Sequence, residues 1–215
     1  VTGSLVLALV LLAINGVVGA VDTLWYHEIS GKLPVQGGGV RGELALHAAR
    51  DAVYCLVYGT LPWVAWSGAW AYLLIGLLAI ELVITFADFA VEARVREVSA
   101  GERILHTSMG IIYGAAMAAL LPVVLGWADG PTGWSAHAEP VPAVLQWTLT
   151  AFAAGIAVSG IRDGVAAAVG PAAGLPWRVS PPAPEVRRHE VRPAMVAAVV
   201  VGIVVPAVLG KGRER

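Results

Sequence analysis

Long apolar runs constrain this chain more than any other feature. Six of them fall at about 4–25, 46–66, 69–91, 104–127, 143–161 and 193–210, and a helix needs about 20 mostly apolar residues to cross a bilayer. Only 13% of the 215 residues are charged and 58% are hydrophobic, too few charges to clothe a water-soluble surface and too much apolar content for disorder. The expected fold is all-α: a polytopic membrane bundle of five to six helices, with residues 1–215 forming one transmembrane domain. The sixth run is the weakest, being short and holding Pro206. The first run lacks a basic leader and continues into Trp25–Tyr26–His27–Glu28 instead of a small-residue cleavage site, so a retained helix is expected.

Basic residues set the expected orientation. Lys32, Arg41, Arg50, Arg94, Arg96, Arg103, Arg162, Arg178, Arg187, Arg188 and Arg192 cluster at the ends that alternate helices share, whereas 66–69 and 127–143 hold none. The positive-inside rule then places the N-terminus outside, with a bacterial inner membrane as the expected location. Trp63, Trp66, Trp70, Trp127, Trp134 and Trp147 gather toward the opposite face, as an interfacial aromatic belt does. Lys211, Arg213 and Arg215 run against a full sixth crossing. Residues 164–192, with Pro181, Pro182 and Pro184, read as an irregular cytoplasmic loop.

A net charge of −1 offers no basic field for nucleic acid. Partners are expected instead in the bilayer itself, in a second copy of the chain or in another membrane protein. The single cysteine, Cys55, excludes an intramolecular disulfide and any cysteine-rich metal site, and reads as a small apolar packing residue.

The scarce polar residues recur in a pattern. Gly42-Glu43-x-x-Leu46-His47 with Tyr54 matches Gly101-Glu102-x-x-Leu105-His106 with Tyr113, giving G-E-x-x-L-H-x6-Y twice at an offset of 59. Such a repeat suggests a duplicated helical hairpin in the first four spans, with halves 1–66 and 67–127. On an α-helix, positions i, i+4 and i+11 share a face, so each copy lines up carboxylate, imidazole and phenol. The third run carries its own stripe of Glu81, Thr85, Asp88 and Glu92, and the first ends in Asp22, His27 and Glu28. Asp22, His27, Glu43, His47, Asp88, Glu92, Glu102 and His106 fall near the expected cytoplasmic face, and Glu81 lies deeper.

Carboxylates inside hydrocarbon are costly and repel one another unless cations neutralise them. Carboxylate and histidine sets from several helices are how ferritin-like bundles hold two metal ions, although those use Glu-x-x-His where this chain has Glu-x-x-x-His. The expected ligands are Glu43, His47, Glu102 and His106, with His27, Asp88 and Glu92 completing two divalent sites, iron being the leading metal. Tyr54, Tyr113 and Glu81 are expected to orient those ligands. That chemistry suits a di-iron oxidoreductase acting on a lipid or other apolar substrate.

Three other readings compete. His47 and His106 could bind a b-type haem axially, giving an electron-transfer protein. The polar stripe could equally be an ion-pair network in a non-catalytic accessory subunit, with Arg50, Arg96 or Arg103 pairing Asp51, Glu92 or Glu97 and no cofactor at all. Ser99-Ala100-Gly101-Glu102 is a capping-box sequence, which gives Glu102 a structural role, and the first-turn position of Glu43 suits any acid. Asp163, which follows Arg162 at the end of the fifth run, reads as an ion-pair residue and not a ligand. Ion transport ranks last, because the acids lie at one face. His137 and His189 have no matched partner, and no nucleophile elbow, phosphate loop or dinucleotide fingerprint is present.

Overall fold

A computed structural model describes residues 2–36, 38–138 and 140–170. It is all-helical apart from two short strands. Helix α1 (Thr2–Val21) runs directly into a π-helical stretch, Asp22–Ser30. Helices α2 (Arg41–Thr60), α3 (Ala69–Val95), α4 (Ala100–Trp127) and α5 (Ala143–Val169) follow. Among the described residues, four helical segments are long and apolar enough to span a membrane: Ser4–Val35, Ala69–Val95, Ala100–Trp127 and Ala143–Val169. Helix α2 is about 30 Å long, but its N-terminal part, through Asp51, carries Arg41, Glu43, Arg50 and Asp51. The sixth expected run, 193–210, lies outside the described residues, as does most of the expected loop at 164–192. Its first residues, through Val169, are helical and belong to α5.

The described helices begin earlier or end later than the apolar runs suggest. The excess lies at the same end of the bundle, where the π-helical stretch after α1 reaches Ser30, α3 runs to Val95 and α5 to Val169, and α2 and α4 start at Arg41 and Ala100. Charged residues there face one another instead of solvent, so helix persists where hydropathy has already fallen. At the other end, a strand β1 (Ala65–Ser67) pairs antiparallel with β2 (Gly133–Ser135), with Trp66 opposite Trp134. Gly68 sits at φ 62° just after β1, with its Cα close to the backbone of Thr132, a conformation and an approach that only glycine accommodates cheaply.

Burial is inverted relative to a soluble protein. Leu7, Val10, Ile14, Val17, Leu73, Ile80, Val83, Ile104, Ile111, Val158 and Ile161 face outward, while eight carboxylates among the described residues are buried: Asp22, Glu28, Glu43, Glu81, Asp88, Glu92, Glu102 and Asp163. Lipid can solvate the aliphatic side chains but not the acids. Small residues let α2 and α5 approach closely, with Gly59 against Ala153, Gly160 against Asp51 and Gly164 against Ala48. Arg41 extends the same contact, its guanidinium donating to the Ala167 and Ala168 carbonyls at the end of α5 at 2.7 and 3.0 Å.

Two apolar clusters bracket the acids. The larger one surrounds Leu9, Leu12, Val57, Tyr58, Leu74, Leu120 and Leu149 and extends to Trp66. A smaller one of Leu33, Val40, Leu44 and Ala166 closes the opposite end. The ionisable residues lie between the two, which is why so many are nearly free of solvent.

Candidate metal centre

The π-helical stretch builds the first part of the site. Its hydrogen bonds span i to i+5, so Asp22 and His27, five apart, come onto one side of the turn and are both buried. On a regular α-helix they would point about 140° apart. Glu102 and His106 reach the same place from the first turns of α4, where the Ser99 Oγ caps the helix by accepting from the Glu102 backbone N–H at 3.2 Å. The Ser99 half of the expected capping box therefore forms, while the Glu102 carboxylate turns to Arg96 and toward His27. One ligand atom from each of Asp22, His27, Glu102 and His106 lies within 4.8 Å of the others, a group that could hold a metal ion.

Distances within this group suit an ion at its centre. His106 Nε2 is 3.1 Å from Asp22 Oδ2, and His27 Nε2 is 3.5 Å from the same oxygen and 3.6 Å from Glu102 Oε1. Ligands about 2.1 Å from a tetrahedral ion stand about 3.4 Å apart. His27 Nε2 and Asp22 Oδ1 are also buried with no hydrogen-bond partner, an arrangement that costs free energy unless something fills it.

A second set adjoins the first. His47 Nε2 lies 3.2 Å from Asp88 Oδ2 and its Nδ1 lies 3.5 Å from Asp163 Oδ2. The His27 and His47 rings stack with centroids 4.8 Å apart, and His106 stands edge-on to His27 at 6.4 Å. Glu92 Oε2 faces the other nitrogen of His106 at 3.4 Å. Both His47 and His106 thus have a carboxylate facing each ring nitrogen; a metal would have to enter beside one of the two, leaving the other to orient the ring as carboxylates do at metal sites.

Arginines neutralise part of this charge. Arg96, just past α3, donates to Glu43 Oε1 at 3.0 Å, to both oxygens of Glu102 at 3.0 and 2.6 Å, and to Glu92. Arg50 donates to Asp88 Oδ2 at 2.9 Å, and Arg162 pairs with Glu28. Of the expected partners, Glu92 does pair with Arg96, and the other contacts go to Glu43, Glu102 and Asp88 where Asp51 and Glu97 were expected. Asp163, expected to form an ion pair, does so with His47 of α2 at 3.5 Å. Eight buried carboxylates still outnumber the arginines and histidines paired with them.

All seven expected ligands converge at this end of the bundle. Glu43 and Glu92 are held mainly by Arg96, whereas His27, Glu102 and His106 join Asp22, which hydropathy reading alone left outside the ligand set. Tyr54, Tyr113 and Glu81 occupy another layer. Tyr54 donates to Glu81 Oε1 at 2.6 Å, and the hydroxyl of Tyr113 makes no hydrogen bond to protein. Neither phenol holds a histidine in place, since seven residues of helix carry each about 10 Å farther along the bundle.

A cavity of about 990 Å³ opens onto the site. Asp22, His106, Arg50 and Arg162 line one end, and Ile75, Leu121 and Val124 the other. Comparison with protein-family models, with curated proteins and with solved structures finds no match.

Proposed function

We propose that the chain is a membrane metalloprotein holding two divalent ions, iron foremost, and that it oxidises a lipid or other apolar substrate. The observation that carries this reading is the convergence of Asp22, His27, Glu102 and His106 within 4.8 Å. Those four would hold one ion, with Glu92 orienting His106. His47 and Asp88 would hold the second, with Asp163 orienting His47. Mixed carboxylate and imidazole donors suit iron, manganese or zinc, and only the first two add redox chemistry. Bound metal would activate oxygen or polarise the substrate, and the apolar cavity gives a lipid chain a route to Asp22 and His106.

The elemental content of detergent-purified protein tests the reading. About two ions per chain are expected, and the double variant His47→Ala/His106→Ala should retain none. Full metal content in that variant, or a metal-free native protein that takes up none on addition, overturns the assignment.

Arg96 favours a second reading. It already compensates Glu43, Glu92 and Glu102, as an ion-pair network in an accessory subunit would require. That network leaves His27 Nε2 unpartnered, which is why metal binding is preferred. A haem between His47 and His106 is less well supported, because the His27 ring packs against both and would have to be displaced.

A further inference from the structure

A second polar layer lies seven residues from the first on four helices. Asn15 precedes Asp22, Tyr54 follows His47, Glu81 precedes Asp88 and Tyr113 follows His106. Seven residues of helix are about 10 Å, so this layer sits near mid-bundle. All four side chains line the cavity described above. Glu81 is 1% exposed and Tyr113 7% exposed.

Only one edge of the layer is satisfied from within. Glu81 Oε1 accepts from the Tyr54 hydroxyl at 2.6 Å and from Thr85 Oγ1 at 2.7 Å. Glu81 Oε2, the Tyr113 hydroxyl and Asn15 Oδ1 are buried with no partner at hydrogen-bond distance and angle, and the Tyr113 hydroxyl interacts with the Glu81 carboxylate only outside that geometry. The Tyr113 ring packs edge-on against Tyr54, centroids 5.8 Å apart, which keeps its hydroxyl in the same layer as the carboxylate. Unpaired buried polar atoms are rare and costly. Three that face one cavity make a recognition site with a definite donor and acceptor pattern.

We propose that this layer binds the hydroxyl group of a long-chain apolar ligand. A hydroxyl both donates and accepts. It can donate to an ionised Glu81 while accepting from Tyr113, or accept from a protonated Glu81 while donating to Tyr113. A carbonyl accepts only and fits just one of those states, and an alkane satisfies neither. From Tyr113 the cavity continues toward Val124, eleven residues or about 16 Å along α4, between Ile75, Met117 and Leu121. That length accommodates an extended alkyl chain. As a substrate site the layer rests on the metal reading, since it would hold the hydroxyl about 10 Å from His106; as a binding site it does not.

The test is binding of dodecan-1-ol, dodecan-2-one and dodecane to the full chain in lipid nanodiscs, with metal content measured on the same samples. The alcohol is expected to bind about tenfold more tightly than the alkane, and Tyr113→Phe and Glu81→Leu should each abolish that preference. Tyr113→Phe should leave thermal stability unchanged or slightly raised, because it removes an unpartnered hydroxyl. Retained metal in both variants separates this site from the metal centre: loss of alcohol preference with metal intact supports the proposal whether or not the metal supports catalysis. Equal binding of alcohol and alkane overturns it, as does a drop in stability on Tyr113→Phe without any change in preference, which would assign the layer to buried water. Tightest binding of the ketone overturns the hydroxyl assignment.

Discussion

The two sides of the ionic cluster are built differently. On one side Glu43, Glu92 and Glu102 converge on a single guanidinium, that of Arg96. On the other, Asp22, His27 and His106 face one another with no arginine between them, and two of their polar atoms have no partner. The arginine side is neutralised by protein, although Glu43 Oε2 still lacks a hydrogen-bond partner, whereas the histidine side is a group that could hold a metal ion. Glu102 belongs to both, so the structural network holds a ligand of the metal set in place.

Removing Arg96 should have the largest effect. Arg96→Ala strands three buried carboxylates and is expected to cost about 3–5 kcal/mol in detergent-based unfolding. The same variant sharpens the contrast, because saturating divalent metal should recover part of the loss through Glu102. Recovery of none would mean that the two sides are electrostatically independent. A smaller effect is expected from Asp163→Asn, which removes the carboxylate on His47 Nδ1. Its metal affinity at the second position should fall about 10–100-fold while the first ion stays bound. If both ions are lost together, the two histidine sets act as one site.

Smaller again is Gly160→Ala, whose new methyl would lie 2.7 Å from Asp51 Cβ. Prising α2 from α5 should cost about 1–3 kcal/mol and shift Asp163 relative to His47, weakening the second ion without touching a ligand. An unchanged unfolding midpoint would show that the α2–α5 contact is looser than it looks. The smallest effect belongs to the tryptophan end. There His137 packs against Trp127 and donates to the Leu61 carbonyl at 2.8 Å, and burial holds its pKa below the ordinary 6.5. A histidine kept neutral in the fold supplies stability above pH 6.5 that is lost as pH falls toward its lowered value. The wild type should therefore soften slightly on acidification, and His137→Gln should remove that component; an identical pH profile in the variant would assign it elsewhere.

Much of this arrangement is legible in the sequence because polar residues are so scarce in it. The duplicated Glu-His-Tyr spacing and the Asp88–Glu92 stripe brought the expected ligands to one end of the bundle, since helical periodicity alone fixes which residues share a face. What periodicity missed depends on departures from the α-helix or on long-range packing. Asp22 and His27 meet through a π-helical turn that no local residue pattern announces. The role of Arg96 depends on a loop carrying it across to Glu43, which lies 53 residues away. The pairing of β1 with β2 joins two connections with no alternating pattern, held by Trp66, Trp70 and Trp134. Hydropathy also placed helix ends too early, because it treats charged residues as solvent-facing where here they face each other. The heptad offset between the two polar layers was present in the sequence, but the tyrosines were expected to serve the histidines and not a layer of their own.

X-ray absorption at the metal edge of the purified native protein tests the central claim most directly. Two ions in carboxylate and imidazole coordination predict nitrogen and oxygen neighbours at about 2.0–2.2 Å and a metal–metal vector of about 3.5–4 Å, both lost in His27→Ala/His106→Ala. A protein that carries no metal, or a native spectrum left unchanged by that double variant, would contradict the account and leave the cluster as an ion-pair network centred on Arg96.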